Sequence, residues 1–85
     1  DTAIRFRYGE IWNRPGLDIR QRMICSVGAV TALQMESQQR KFFRSALNVG
    51  LTASEVREVI TQTAPYSGFP SALNALSVAG EVLED

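Results

Sequence analysis

No histidine occurs among the 85 residues, and cysteine appears once. Without imidazole the chain cannot build a Ser/His/Asp or Cys/His relay, nor a metal site that relies on histidine ligands. A lone cysteine excludes an intrachain disulfide, a CxxC redox pair and a zinc knuckle, so no structural metal is expected. Net charge is absent too: nine Lys plus Arg balance nine Asp plus Glu, which gives no overall attraction to nucleic acid or to an anionic membrane. The uncharged run from Met23 to Met35 has 13 residues, short of the about 20 that span a bilayer, and the charged opening from Asp1 to Arg7 is no signal peptide. A soluble cytoplasmic protein, with a processed or trimmed start at Asp1, is the expectation.

What is present suggests helices. At this length the chain is one domain, residues 1–85, whose core is thin for its surface, so association with copies of itself is expected to complete it. Ile4, Tyr8, Ile11 and Trp12 recur at helical spacing over segment 2–13, which Pro15-Gly16 stops. Asp18, with Gln21 three residues on, is a capping-box pattern that opens a helix running to about Leu33. Beyond Met23 that helix is apolar on nearly every side, which predicts a buried central element. A third helix starts at Glu36 or Ser37, turns Phe42, Phe43, Ala46 and Leu47 inward, and ends at Gly50. Thr52 and Glu55 form the clearest capping box, opening a helix that buries Val56, Val59, Ile60 and Thr63 and is kinked or finished at Pro65. Pro70 opens the last helix, with Leu73, Leu76, Ala79 or Gly80, and Leu83 on its inner side. The prediction is all-α, about five helices around a central hairpin; no hairpin dipeptide joins two apolar runs.

Charge is unevenly placed. Residues 1–44 carry a net +4 and residues 45–85 a net −4, and eight of the nine cations are arginine. Two readings stay open: Arg–carboxylate pairing within or between subunits, and a seat for a carboxylated ligand. Arg22 faces either an acid such as Glu55 or Glu58 or a substrate carboxylate, and Arg44 poses the same choice. Glu10 pairs with Arg14 four residues later or faces a ligand. Cys25, flanked by Ile24 and Ser26, reads as a buried, inert small residue. Trp12 reads as a packing anchor, Phe42 and Phe43 as core or interface, and Tyr66, beside Pro65, as a site residue carrying one acid/base hydroxyl.

Three blocks resemble the carboxymuconolactone decarboxylase family: Gly9-Glu10-Ile11-Trp12-Asn13-Arg14-Pro15-Gly16-Leu17-Asp18; Arg44-Ser45-Ala46-Leu47-Asn48-Val49-Gly50-Leu51-Thr52 with Glu55-Val56-Arg57-Glu58-Val59-Ile60; and Tyr66-Ser67-Gly68-Phe69-Pro70-Ser71-Ala72-Leu73-Asn74-Ala75-Leu76. The resemblance implies an alkylhydroperoxidase D-like helical fold assembled as a homo-oligomer, trimer or hexamer, often with further helices ahead of the first block. The family's redox branch uses a glutamate, two cysteines and a histidine, and those places hold Met23, Met35, Gln38 and Phe42 here, which excludes thiol-dependent peroxide reduction.

The decarboxylase branch is closer, although it typically carries histidine where Phe42 stands. Decarboxylating a lactone acid needs cations for the carboxylates, an electron sink and a proton donor. The resemblance therefore implies Arg22 and Arg44 as substrate-binding groups and Glu10 or Tyr66 as the proton carrier in a cofactor-independent carbon–carbon lyase. The alternative is a catalytically silent helical module for self-association or interaction.

Overall fold

The computed structural model describes residues 11–83. Among them are four helices and no strand: α1 (Ile19–Ala32), α2 (Glu36–Asn48), α3 (Ala53–Ser67) and α4 (Phe69–Val82). Of the helix expected over 2–13, residues 2–10 lie outside the described residues. Residues 11–13 form a turn in which the Arg14 N–H donates to the Ile11 carbonyl at 3.2 Å.

Local chemistry sets the boundaries. Asp18 caps α1 by accepting from the Gln21 N–H at 2.8 Å, while the Gln21 side chain accepts from the Asp18 N–H at 2.9 Å. After Leu33 the chain reverses through Gln34, which takes a left-handed φ of 57°, and α2 returns alongside α1. The Gln39 side chain, 3% exposed, donates its Nε2 to the Val30 carbonyl at 3.0 Å. Gly50 ends the α2 region at a φ of 100°, a conformation in which a side chain would be strained, and the Leu51 N–H then returns to the Ala46 carbonyl.

Thr52 and Glu55 make the expected capping box for α3. Arg20 adds a two-pronged contact to Glu55, both distances 3.1 Å, and so ties the start of α1 to the start of α3. Gly28, further along α1, lies against Val59 and Thr63, so the two helices run side by side in the same direction. Pro65 does not finish α3: it sits inside the helix, about a turn before Gly68, where the helix closes.

The core is built from Met23 and Val27 of α1, Phe43 and Ala46 of α2, Val56 and Ile60 of α3, and Ala75 and Ala79 of α4, all 1% exposed or less. Three expectations are corrected here. α1 is not enclosed: Met23, Val27, Val30 and Thr31 face inward, but Ile24 and Cys25 are exposed, so the thiol is accessible rather than buried. On α2, Leu47 is 38% exposed and Gln39 occupies the inner side. On α4, the inward stripe is Ala72, Ala75, Val78 and Ala79, while Leu73 is 61% exposed. Small side chains let α4 lie close to its neighbours and carry Leu73 outward, whereas Leu76 packs against the core and Ala79 and Leu83 are buried as expected. Among the described residues no helix is long and apolar enough to cross a membrane.

Two outcomes follow. Gln39→Ala removes a buried hydrogen bond and leaves a void, and is expected to cost about 2 kcal/mol in urea unfolding. The Thr52 backbone N–H, and then Arg20, hold the Glu55 carboxyl below its ordinary value of 4.5, against partial desolvation. That contribution is complete above pH 4.5 and is lost as pH falls through the lower folded value. Wild-type stability should therefore drop more steeply below pH 4.5 than that of Glu55→Gln, measured by thermal unfolding across pH 3–7.

Candidate functional site

Between α1 and α2 runs a groove, and the turn after residue 10 lays Trp12 across its middle. The indole stacks on Phe42 of α2, with ring centroids 6.2 Å apart and planes inclined by 28°. Both rings are partly buried, so the pair forms a partition with hollows on either side.

A cavity of about 430 Å³ lies toward the start of α1 and the end of α2, lined by Met23, Lys41, Ser45, Asn48 and Val49 with the two rings. A second, about 220 Å³, lies toward the hairpin turn and is lined by Ser26, Ala29, Val30, Met35 and Gln38 with the same rings. A third, about 160 Å³, opens between the Trp12 turn and α1, where Ile11, Leu17, Arg22, Cys25 and Ser26 meet. The four positions matched to the redox branch thus converge: Met23 and Phe42 line the first cavity, and Met35, Gln38 and Phe42 the second. They are brought together with no thiol and no imidazole.

Polar groups within this groove are incompletely satisfied. The Arg22 guanidinium donates through Nη2 to the Arg14 carbonyl at 2.8 Å, but its Nε is buried without a hydrogen-bond partner among the described residues. The Oε1 of Gln38 is likewise buried and unpartnered among them. Buried donors and acceptors normally find partners, so a groove holding one of each is suited to a polar ligand. Among the described residues no carboxylate lines any of the three cavities.

The expected site residues fare differently. Arg22 lies in the groove and does not pair with Glu55; that acid is taken by Arg20. Arg44 is exposed, lines none of the three cavities, and makes no ion pair among the described residues. Tyr66 is 82% exposed near the end of α3 and borders none of them either. Glu10 lies outside the described residues. Lys41, Ser45 and Asn48 went unnoticed in the sequence, although their i, i+4, i+7 spacing beside Phe42 places all three along one side of α2.

A further hollow of about 290 Å³ lies between α2 and α4, lined by Gln34, Glu36, Gln39, Asn74 and Glu81 among others. Its carboxylates engage Arg40, at 2.7 Å from Glu81 and 3.2 Å from Glu36, and raise the guanidinium pKa above its usual value. With its acids on the wall and the nearby cation already engaged, it is a poor seat for an anion. No group of three or more His, Cys, Asp or Glu among the described residues could hold a metal ion.

Comparison with known proteins agrees with this arrangement. Residues 1–81 match the model of the carboxymuconolactone decarboxylase family. The chain is 36% identical over 81 residues to a 4-carboxymuconolactone decarboxylase of Acinetobacter baylyi, a match that covers 95% of this chain and 60% of the relative. It is 33% identical over 85 residues to a nitrosuccinic acid decarboxylase of Metarhizium robertsii, covering 100% of this chain and 59% of that protein. An uncharacterized 15.0 kDa protein of Paracoccus denitrificans is 36% identical over 77 residues, 88% of this chain and 58% of the relative. The chain thus spans about three fifths of the length of the curated relatives it matches. With three sequence blocks in order and a family match over residues 1–81, the chain belongs to the carboxymuconolactone decarboxylase family.

Proposed function

We propose that the Trp12–Phe42 groove binds a small carboxylated molecule and promotes its decarboxylation without metal or organic cofactor. The observation that carries this reading is the buried Nε of Arg22 beside the indole, which among the described residues has no hydrogen-bond partner and no carboxylate in its groove. A guanidinium already anchored through Nη2 is pre-oriented to receive a carboxylate.

The chemistry asks little of the protein. The bond from carbon to the carboxylate breaks, carbon dioxide leaves, and the electron pair stays on carbon until a proton arrives. The names of the relatives point to substrates that supply their own electron sink, a lactone in one and a nitro group in the other. Apolar walls such as Trp12 and Phe42 favour the step because the charged carboxylate gives way to neutral carbon dioxide. Phe42 has no proton to give. Of the two expected carriers we retain Glu10, which directly precedes in sequence Ile11, a residue that lines the Arg22 cavity.

One observation favours a second reading. A hydrocarbon ring packed against Trp12, where the decarboxylase branch carries imidazole, is what a silent helical module would be left with. Self-association as a trimer or hexamer belongs to both readings, and Leu33, Tyr66, Phe69 and Leu73, each more than 60% exposed, offer apolar surface for it.

The protein incubated with 4-carboxymuconolactone or nitrosuccinate should release carbon dioxide, and Arg22→Ala should lower kcat/KM by about 100-fold, or about 2.7 kcal/mol. Absence of turnover on both at high protein concentration would leave the silent module. Arg44→Ala, followed by light scattering as well as by rate, tells a subunit contact from a substrate contact.

A further inference from the structure

We propose that the hollow between α2 and α4 is a binding site for a small hydroxylated primary ammonium ion. It shares no lining residue with the three cavities of the Trp12–Phe42 groove, and the inference stands whether or not that groove decarboxylates anything.

One oxygen in the wall points to a ligand. Gln39 is 3% exposed, and its Nε2 is committed to the Val30 carbonyl at 3.0 Å. Its Oε1 has no hydrogen-bond partner among the described residues yet keeps access to solvent, and of the four hollows the side chain lines this one alone. An acceptor on an otherwise buried side chain, left open to a cavity, is satisfied by what enters the cavity. The rest of the lining adds to the surplus of acceptors. Glu36, through Oε2, and Glu81, through Oε1, share one nitrogen of Arg40 at 3.2 and 2.7 Å, which leaves each carboxylate a second oxygen without a partner among the described residues. Gln34, Asn74 and Ser77 make no side-chain hydrogen bond among them either.

Charge then narrows the class. Two carboxylates against one guanidinium leave the hollow with one negative charge in excess, which repels an anion and favours a single cation. A bare metal ion is not that cation, since no group of three or more His, Cys, Asp or Glu among the described residues could hold one. An ammonium group has three donors and no acceptor, which matches in number the Gln39 Oε1 and the free oxygens of Glu36 and Glu81. Asn74 and Ser77, able both to donate and to accept, suit a neighbouring hydroxyl. Val78 is the one apolar residue in the lining, and about 290 Å³ lies at the lower edge of small-molecule sites, so the carbon chain is short.

Ethanolamine is the probe, with ethylene glycol as its uncharged analogue of the same size. The chain is titrated at constant ionic strength and about pH 7, where an alkylamine is protonated, and the side-chain amide signals of Gln39 and Asn74 are followed by proton–nitrogen NMR. Both signals should shift saturably, while that of Gln38, which lines the groove instead, stays in place and serves as the internal control. Glu81→Gln should weaken the apparent Kd for ethanolamine by about 10-fold, Asn74→Ala should weaken it less, and ethylene glycol should bind the wild type at least about 10-fold more weakly than ethanolamine does. Asn74 and Glu81 are exposed, so both variants should keep wild-type melting. If Glu81→Gln melts early, Glu36→Gln repeats the test from the other carboxylate of the hollow, with the same loss expected. An affinity unchanged on removing the carboxylate charge, equal binding of ethylene glycol, a shift confined to Gln38, or no saturable shift up to about 50 mM ethanolamine would each overturn the proposal.

Discussion

One carbonyl sets the geometry of the groove. The Val30 oxygen, at the end of α1, accepts from the Met35 N–H and from the Gln39 side chain, each at 3.0 Å. The first bond closes the reversal through Gln34; the second reaches one turn into α2 and locks its rotation as well as its start. A carbonyl has two lone pairs, and here both are used to hold one helix against the next. With that register fixed, Phe42 falls opposite the middle of α1, Met35 and Gln38 opposite its end, and Asn48 and Val49 opposite its beginning. The convergence of Met23, Met35, Gln38 and Phe42 on the groove is thus a consequence of the hairpin, and the bonds that align the two helices need neither cysteine nor histidine.

Elements governed by local chemistry were legible in the sequence. Both capping boxes are where Asp18 and Thr52 announce them, because their bonds involve residues three apart and no tertiary information. Orientation around the helix axis was read less well. Leu47 and Leu73 are more hydrophobic than Gln39 and Ala72, yet they point outward, because a close helix crossing selects for small side chains and for a buried amide that has a partner. Pro65 was overvalued as a breaker. It costs α3 one donor, but the neighbouring turns, with Ala64 buried and Gly68 bonded back to it, keep the helix together.

The site shows the same division. Phe42 was identified by matching motifs and does stand at the centre. Arg22, read as facing either an acid such as Glu55 or Glu58 or a substrate carboxylate, lines the groove and makes no ion pair among the described residues. Two residues amount to about 200° around a helix, so when Arg20 turns to Glu55 on α3, Arg22 is carried to the opposite side, over the groove. Lys41 was passed over because a lysine next to two phenylalanines reads as the solvent face of its helix. What changes its meaning is Trp12, which comes from the preceding turn and raises a wall beside it, a contact between residues 29 and 30 positions away in sequence that no local pattern contains.

The uneven charge of the two halves also acquires a structural sense. The groove is made wholly from the first half, from the Trp12 turn, α1 and α2, where the net charge is +4. The acidic second half supplies α3 and α4 behind it, and two ion pairs cross from one half to the other, Arg20 to Glu55 and Arg40 to Glu81. Those pairs consume cations that face away from the groove and leave Arg22 and Lys41, one on each side of the Trp12–Phe42 partition, without an acid of their own among the described residues. Pairing between the halves and attraction of a carboxylate are therefore not rival explanations of the same arginines. Position around each helix distributes the cations between the two tasks, and because exposed pairs contribute little to stability, holding α3 and α4 in place falls chiefly to the buried apolar core. Arg22 and Lys41 stand where aromatic rings displace water, which is where a fixed cation attracts an anion most strongly.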